Sequence, residues 1–478
     1  MQPNLLTILT DDQGAWALGA AGNEEICTPH LDALAGEGVR MENFFCTSPV
    51  CSPARASLLT GRIPSQHGVH DWIRGGNLPS EPKGAHRYLD GQETYSDILS
   101  RSGYRGGLVG KWHLGDSLTP QHGFEFWRAT PRGGGTYRNG LVVRDGRVCK
   151  AQGYLTDVLA DEAMGFLDSV CDQANAFHLS LHFTAPHSPW VDQHPPRWTE
   201  RYADCPFESC PQESRHPWYD TQELNFSNAM SLRQASADVR EHLKGYFASV
   251  SAMDEAIGRV LRRMEELGLR DNTLICFLSD NGFNCGHHGI WGKGNATYPM
   301  NLYDTSIRVP AIFSWPGVIK AGLVIDDLLS GYDFAPTVLE LLGESMPDYY
   351  DGPGRSFATR LSGGEPLDHD VVVYDEYGPA RMIRTRRWKL IERARNGPSE
   401  LYDLAADPGE RDNLLGDPVS GKTAETAAQL SARLGEFFHR YSDPARSGET
   451  LPVTGRGQLS PVEPGMSAFH PREKSAYE

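Results

Sequence analysis

Residues 4–12 read Asn-Leu-Leu-Thr-Ile-Leu-Thr-Asp-Asp, and this stretch decides how the rest of the chain is interpreted. The run 4–9 is too short for a transmembrane helix or for the apolar region of a signal peptide, and no basic residue precedes it. It therefore predicts a buried strand that begins almost at the first residue. Two adjacent carboxylates, Asp11 and Asp12, follow at the carboxyl end of this strand, where α/β folds place their ligands.

Similar apolar runs alternate with helical patterns through the first two thirds of the chain. We predict strands at 4–9, 39–46, 104–110, 177–183, 273–279 and 308–314, and helices at 28–36, 53–60, 93–102, 156–170, 236–267 and 332–342. Thr28 before Pro29 and Gly268 after the fifth helix are typical signals of a helix start and a helix end. This alternation predicts an α/β fold, a large mixed, mostly parallel sheet flanked by helices.

The pattern changes beyond a segment rich in Gly, Pro and Asp at 344–370, which predicts a linker. Two paired strands at 371–377 and 382–391 and a helix at 424–440 predict a small antiparallel sheet with a helix. We therefore predict two domains. They are a catalytic α/β domain over 1–365 and a C-terminal α+β subdomain with a tail over 366–478.

The composition restricts the function. The 478 residues include 45 Lys+Arg and 62 Asp+Glu, a net charge of −17, which argues against a nucleic-acid partner. A small anionic substrate needs only a local positive pocket and stays open. The nine cysteines lack the spacing of a disulfide framework. With no membrane-spanning run and no signal peptide in the given chain, we predict a cytoplasmic protein with no membrane partner, unless a leader has been removed.

A second polar segment, Ser279-Asp280-Asn281-Gly282, follows the strand at 273–279. Taken alone, this segment and the Asp11-Asp12 pair are each more typical of a solvated turn than of a site. Together they offer three carboxylates and one amide oxygen, and adjacent carboxylates repel each other unless a cation lies between them. Hard oxygen ligands of this kind favour Ca²⁺, or Mg²⁺ with more water retained.

The stretch from Cys51 to Arg62, Cys-Ser-Pro-Ala-Arg-Ala-Ser-Leu-Leu-Thr-Gly-Arg, predicts a helix with Ser52 as its N-cap and Pro53 in its first position. Cys51 then lies just before a helix N-terminus, where backbone N–H groups favour an anion. Arg55 lies one turn further along and can face the same ligand. The alternative interpretation is a buried structural cysteine beside a capped helix.

Cys51-x-Pro53-x-Arg55, continued by Leu58-x-Thr60-Gly61-Arg62, resembles the signature of the type I sulfatases, which belong to the alkaline phosphatase superfamily. Other segments match the family's motifs in the same order. They are Asp11-Asp12, Gly110-Lys111-Trp112-His113-Leu114-Gly115, Pro186-His187-x-Pro189, Asp280-Asn281, Lys293 and Arg308-Val309-Pro310. The similarity spans about residues 3–320, and 401–408 also resembles the family's end domain.

The resemblance implies that Cys51 is oxidised to formylglycine. The partner implied is a formylglycine-generating or an anaerobic sulfatase-maturating enzyme, which reads the Cys-x-Pro-x-Arg stretch. The implied cofactor is Ca²⁺, or Mg²⁺, and its implied ligands are Asp11, Asp12, Cys51, Asp280 and Asn281. The implied catalytic residues are Cys51, Arg55, Lys111, His113, His187 and Lys293.

These roles make chemical sense together. A hydrated aldehyde at position 51 offers two hydroxyls on one carbon, and one of them attacks sulfur. The alcohol leaves with a proton from His187 or Lys293 as general acid. The second hydroxyl, deprotonated by His113, expels sulfate and restores the aldehyde. The cation, Lys111 and Lys293 stabilise the shifting negative charge.

We therefore predict a sulfuric ester hydrolase, a sulfatase whose small substrate is a sulfated sugar. One alternative is a phosphonate monoesterase or phosphodiesterase of the same superfamily. Relatives of that type usually carry a His after the second Asp, where this chain has Asn281. The other alternative is a non-catalytic glycan-binding homologue, and every expected catalytic position is filled here.

Aromatic and basic residues, several of them in a long Pro-rich loop at 190–232, offer faces on which a sugar ring could stack. The candidates are His70, Trp72, Arg74, Trp190, Trp198, Trp218 and Tyr219. Among the other histidines, His182 lies inside a predicted strand and is predicted to be structural. The sequence does not decide whether His287 or His288 faces the ligand.

Overall fold

The computed structural model describes residues 2–82, 84–220, 237–297, 299–375, 380–393, 398–416 and 421–448. Its strands are β1 Asn4–Asp11, β2 Val39–Phe45, β3 Arg105–Lys111, β4 Phe126–Thr130, β5 Leu141–Arg144, β6 Arg147–Lys150, β7 Phe177–Pro186, β8 Thr273–Ser279, β9 Asn284–Cys285, β10 Trp291–Gly292, β11 Arg308–Ser314, β12 Leu323–Ser330, β13 Val371–Asp375, β14 Ala380–Arg384, β15 Trp388–Arg393 and β16 Glu400–Asp403. Its α-helices are α1 Pro29–Gly36, α2 Cys51–Thr60, α3 Pro64–His67, α4 Tyr95–Arg101, α5 Leu155–Val170, α6 Pro196–Thr199, α7 Val239–Glu266, α8 Asp304–Ile307, α9 Phe334–Leu341, α10 Ala358–Leu361 and α11 Gly421–Tyr441.

The large sheet has eight strands in the order β12-β2-β11-β8-β1-β7-β3-β4. Its strand pairs are parallel except on the two sides of β11, which runs antiparallel to both β2 and β8. The fold class predicted from the sequence, a mixed and mostly parallel sheet, is therefore confirmed. β1 lies in the middle of the sheet, parallel to β7 on one side and to β8 on the other. The residues that follow β1 therefore lie near the centre of the edge formed by the carboxyl ends of these strands.

Both faces of the sheet are covered, as the apolar runs predicted. Leu6 and Ile8 of β1 pack against α1, α5 and α7, whereas Leu5 and Leu9 pack with residues of α2, α4 and α9 on the opposite face. This division follows from the two-residue period of a strand, which sends successive side chains to opposite sides. Among the described residues, no helix is long and apolar enough to cross a membrane.

The six strands predicted for the first part of the chain are present, but β4 and β12 were missed. β12 contains Asp326 and Asp327 and its register shifts between Ile325 and Leu328, so the apolar run is broken. The buried Asp327 carboxylate accepts from Arg360 Nε at 2.7 Å, a tertiary partner that local pattern does not show. β4 is a five-residue edge strand, too short to produce a period.

The C-terminal strands form an antiparallel sheet, as predicted, but it has four strands in the order β13-β14-β15-β16. The segment predicted as one strand, 382–391, is divided between β14 and β15. One face packs on α11 and the other joins the main core, to which Val373 and Met382 belong. The segment predicted as a linker, 344–370, also contributes to the main core, since its residues Phe357 and Leu361 are fully buried there. The domain boundary at 365 stays a prediction. Residues 221–232 of the long loop, 376–377 of a predicted strand and the tail 451–478 lie outside the described residues.

Candidate active site

The Asp11-Asp12 and Asp280-Asn281 pairs meet at one edge of the large sheet. β1 and β8 run parallel and in register, so Asp11-Asp12 and Asp280-Asn281 follow at the same end. The backbone N–H of Asp12 donates to Asp280 Oδ1 at 3.3 Å, and Asn281 Nδ2 donates to Asp12 Oδ1 at 2.8 Å. Residues that are about 270 positions apart in the chain are thus in direct contact.

Helix α2 begins two residues before the predicted start at Pro53. Its N-cap is Val50, with extended backbone, so Cys51 is the first helical residue and Pro53 the third. The prediction that Ser52 caps the helix is wrong, because its hydroxyl accepts from the Ile73 backbone N–H at 3.1 Å instead of from its own helix. Cys51 therefore lies in the first turn of a helix whose ten residues are all buried, and not just before the helix.

The Cys51 thiol lies at the centre of the cluster. Its Sγ is 3.3 Å from Asp11 Oδ1 and 2.7 Å from Lys293 Nζ. Burial and the neighbouring Asp11 carboxylate raise the pKa of Cys51 to about 12. The unmodified thiol therefore stays protonated at neutral pH and is a poor nucleophile, since the thiolate is the reactive form.

Three positive side chains balance the three carboxylates of the cluster. The pairs are Lys111–Asp11 at 2.5 Å, Arg55–Asp280 at 2.9 Å and Lys293–Asp12. Burial alone would lower the pKa of Lys293, but the surrounding negative groups, Asp12 first among them, raise it well above its usual range. Buried charges persist when they are paired in this way, and removal of one partner leaves the other uncompensated.

His113 follows β3 and is buried at the same site. Its Nε2 lies 3.0 Å from the Ile73 carbonyl oxygen, which can only accept, so Nε2 carries the proton. Its Nδ1 is buried with no hydrogen-bond partner among the described residues. Burial, and then the charge of Lys111, lower the pKa of His113 well below its usual value. The neutral imidazole therefore presents a bare acceptor nitrogen.

His187 follows β7, the other neighbour of β1. Its Nδ1 lies 2.6 Å from the Ser188 carbonyl oxygen, and its Nε2 lies 3.7 Å from Asp12 Oδ2. The Tyr137 hydroxyl donates to the His187 carbonyl oxygen at 2.7 Å and so fixes the backbone of this residue. Both ring nitrogens therefore face oxygen atoms.

The structure separates the other histidines from this cluster. His182 lies inside β7, with Nδ1 3.1 Å from the Lys111 carbonyl oxygen, and burial lowers its pKa to about 3. These features are those of a structural histidine. His287 contacts a backbone carbonyl of the long loop at 3.0 Å, and His288 stacks on Tyr303 with ring centroids 3.8 Å apart.

The proposed sugar-stacking residues divide into two groups. Trp190 and His70 are nearly fully buried and contact backbone carbonyls through their ring nitrogens, so they belong to the core. The other tryptophans lie under arginines: Arg74 over Trp72 at 5.3 Å, Arg197 over Trp198 at 5.1 Å and Arg393 over Trp218 at 4.8 Å. The side chain of Tyr219 lies outside the described part of the chain.

Two groups that fix the backbone or the side chain of site residues were not predicted from the sequence. The Tyr246 hydroxyl of α7 donates to the Asp12 carbonyl oxygen at 3.0 Å, and Asp12 adopts a φ of +64°. The Ile73 carbonyl fixes His113, as described above. No local signal marks either group, because Tyr246 is one of many residues on the buried face of a long helix and the Ile73 contact uses a backbone atom.

Comparison with known proteins agrees with this geometry. The family model described as Sulfatase matches residues 3–344, which is more than half of the chain. The chain belongs to the sulfatase family. A second model, described as N-sulphoglucosamine sulphohydrolase, C-terminal, matches residues 286–439. The sulfatase match includes β1, α2 and β8, the three elements that carry or directly precede the residues of the carboxylate and thiol cluster.

Several curated sulfatases are similar over most of their length. An N-acetylglucosamine-6-O-sulfatase of Bacteroides thetaiotaomicron is 27% identical, covering 92% of this chain and 87% of the relative. An ulvan-active sulfatase of Formosa agariphila is 30% identical, covering 92% and 82%. Among solved structures, a protein in complex with its substrate D-glucosamine-2-N,6-O-disulfate has a TM-score of 0.76 at 26% identity, covering 93% and 99%.

These matches show that this sulfatase is a sulfuric ester hydrolase. The fold alone would not decide this, because a phosphonate monoester hydrolase of Agrobacterium radiobacter shares it with a TM-score of 0.68 at 22% identity, covering 96% and 99%. Membership of the family also implies a metal ion and a formylglycine in general.

The donor set of the cluster fits a metal ion. Oxygen or sulfur atoms of four buried side chains lie within 4.8 Å of one another, and these residues are Asp11, Asp12, Cys51 and Asp280. Three of the four donors are carboxylates, which suit a hard divalent cation. These four residues are among the five ligands predicted from the sequence, and the amide of the fifth, Asn281, contacts Asp12.

Proposed function

We propose that this sulfatase hydrolyses a sulfate ester on a sugar, using a formylglycine formed from Cys51 and a bound Ca²⁺ ion. The observation that carries the proposal is the position of Cys51, whose thiol contacts both a carboxylate and a lysine in a buried, charged cluster. A thiol with its pKa raised to about 12 is protonated at neutral pH and is therefore a poor nucleophile. Conversion to an aldehyde would give this position a reactive group.

The relatives favour a sugar as the alcohol part of the ester. One of them is named for N-acetylglucosamine 6-O-sulfate and another for ulvan, and a similar solved structure holds a glucosamine disulfate. The test is release of inorganic sulfate from N-acetylglucosamine 6-sulfate by protein produced together with a formylglycine-generating enzyme. Absence of turnover on this and other sulfated sugars, with turnover on a phosphonate monoester, would favour the superfamily alternative.

The charged residues have separate tasks in this scheme. When present, Ca²⁺ on Asp11, Asp12, Asp280 and Asn281 supplies positive charge against the sulfate oxygens, and formylglycine supplies the hydroxyl that attacks sulfur. Lys111 and Lys293, already buried at the site, add positive charge that needs no reorganisation during the reaction. Arg55 contacts Asp280 and the Lys111 carbonyl oxygen, both at 2.9 Å, and so holds a ligand and a neighbour in place.

His113 is suited to act as the general base that releases sulfate. It is neutral, because burial lowers its pKa, and the Ile73 carbonyl oxygen fixes the proton on Nε2. Nδ1 is then the nitrogen that accepts a proton. A base must be unprotonated and correctly oriented before the step, and the Ile73 contact supports both requirements.

His187 is suited to act as the general acid that protonates the departing alcohol. We predict that His187→Ala slows hydrolysis of a sugar sulfate by ~10²–10⁴-fold but that of 4-nitrophenyl sulfate much less. A sugar alkoxide is strongly basic and needs a proton to leave, whereas a nitrophenolate leaves unprotonated. Steady-state rates on both substrates test this, and equal losses would instead indicate a structural role for His187.

The maturation partner must reach Cys51 before the chain folds. Cys51 is 3% exposed and Arg55 is 2% exposed, so the folded protein hides the motif that the partner reads. We predict that folded, unmodified protein incubated with a formylglycine-generating enzyme stays unmodified, while a peptide spanning 45–65 is converted. Mass spectrometry of the peptide around Cys51 measures both, and rapid conversion of the folded protein would contradict the prediction.

A further inference from the structure

Three consecutive glycines, Gly133, Gly134 and Gly135, follow β4 and lie beside the two active-site imidazoles. A Cβ atom built on Gly133 would come within 2.3 Å of the ring of His113. One on Gly134 would meet the ring of His187 at 3.3 Å, whereas one on Gly135 would meet no heavy atom within 4 Å. The first two glycines therefore pack their bare backbone against the two histidines.

The backbone itself does not require glycine at these positions. None of the three has a φ in the left-handed region, which is the usual reason for glycine in a loop. The φ angles of these positions therefore do not exclude a residue with a side chain. What separates Gly133 and Gly134 from Gly135 is the contact with the imidazoles.

Neither imidazole can move away without losing a contact. His113 is 3% exposed and held by the Ile73 carbonyl oxygen, and its own φ is +57°. His187 is held through Ser188 and through Tyr137, whose hydroxyl accepts in turn from Ser249 Oγ at 3.1 Å. A side chain at 133 or 134 would have to displace these rings or the loop.

We propose that Gly133 and Gly134 form a positioning pair that holds His113 and His187 in their reactive orientations and covers them from solvent. Gly134 is exposed and Gly133 is partly exposed, whereas the two imidazoles that they contact are buried. The backbone of the pair therefore covers part of each ring. Reactive groups need to be held to within about 0.5 Å by their packing. This inference rests on the proposed function for its effect on catalysis.

The test compares Gly133→Ala with Gly135→Ala as the matched control. Because a displacement of about 1 Å can cost ~10²-fold in rate, we expect Gly133→Ala to lower kcat on N-acetylglucosamine 6-sulfate by that order, with little change in KM. Gly135→Ala should behave as the wild type. Gly134→Ala, with its milder contact, should lose less than Gly133→Ala and should affect the sugar sulfate more than 4-nitrophenyl sulfate.

A crystal structure of unmodified Gly133→Ala provides a readout that does not depend on activity. We expect the hydrogen bond between His113 Nε2 and the Ile73 carbonyl oxygen to be broken, and the thermal unfolding midpoint to lie below that of Gly135→Ala, because a buried N–H then lacks its acceptor. Wild-type kcat in Gly133→Ala, or an intact bond in its crystal structure, would overturn the proposal. If the wild type releases no sulfate, the proposed function fails, while the crystal structure still decides the positioning role.

Discussion

Cys51→Ala is expected to reduce sulfate release by about 10⁴-fold or more, because it removes the atom from which the nucleophile is made. The fold should persist. The substitution removes one buried thiol, and Lys293, which loses a contact at 2.7 Å, keeps its ion pair with Asp12. Loss of a small buried group of this kind costs about 1 kcal/mol of stability.

Cys276→Ala is the matched control for this prediction. Cys276 is a fully buried thiol in the interior of β8, and burial alone accounts for the raised pKa of its side chain. It should remain active while losing a similar amount of stability. Rates are measured as sulfate released per folded protein, and a Cys51→Ala variant with more than a tenth of the wild-type rate would exclude position 51 as the source of the nucleophile.

Asp12→Asn is expected to lower the rate by several powers of ten and to abolish stabilisation by calcium. A bound cation supplies several kcal/mol of transition-state stabilisation, and each 1.36 kcal/mol is about tenfold in rate. Asp12 is a member of the buried donor cluster and also pairs with Lys293 and contacts His187. Its replacement therefore affects the cation and two neighbouring groups together.

The thermal readout separates the cation from these other effects. A ligand that binds only the folded state stabilises it by about 2.7 kcal/mol at 100 times its Kd. We expect added Ca²⁺ to raise the unfolding midpoint of chelator-treated wild type and of the exposed-site control Asp172→Asn, but not of Asp12→Asn. Equal calcium-dependent stabilisation in all three proteins would show that Asp12 does not hold the ion.

Much of the fold could be predicted because it depends on local pattern. The buried runs at 4–9 and 273–279 are typical of central strands, and their parallel pairing brings Asp11-Asp12 and Asp280-Asn281 together. β12 could not be predicted in this way, because Asp327 is buried against Arg360, a partner that only the folded chain supplies. The start of α2 was misplaced by two residues for the same reason, since the Ser52 hydroxyl accepts from the backbone N–H of Ile73.

The active site shows the same difference between residues marked by local motifs and groups placed by tertiary contacts. Side chains that belong to short motifs, such as Lys111 and His113, could be selected from the sequence. The groups that orient them could not be selected in this way. Ile73 acts through a backbone oxygen, and Gly133 leaves room for the His113 ring because it has no side chain. Trp190 illustrates the reverse error, because an aromatic residue in a polar loop suggested a sugar contact but packs in the core.

The most direct test of the central claim is the dependence of activity on the state of residue 51. Protein produced with graded amounts of the modifying enzyme gives samples in which the formylglycine fraction, measured by mass spectrometry with aldehyde capture, varies. The account predicts that sulfate release from N-acetylglucosamine 6-sulfate rises in proportion to this fraction and extrapolates to zero in unmodified protein. Full turnover by protein in which Cys51 is entirely unmodified would contradict it.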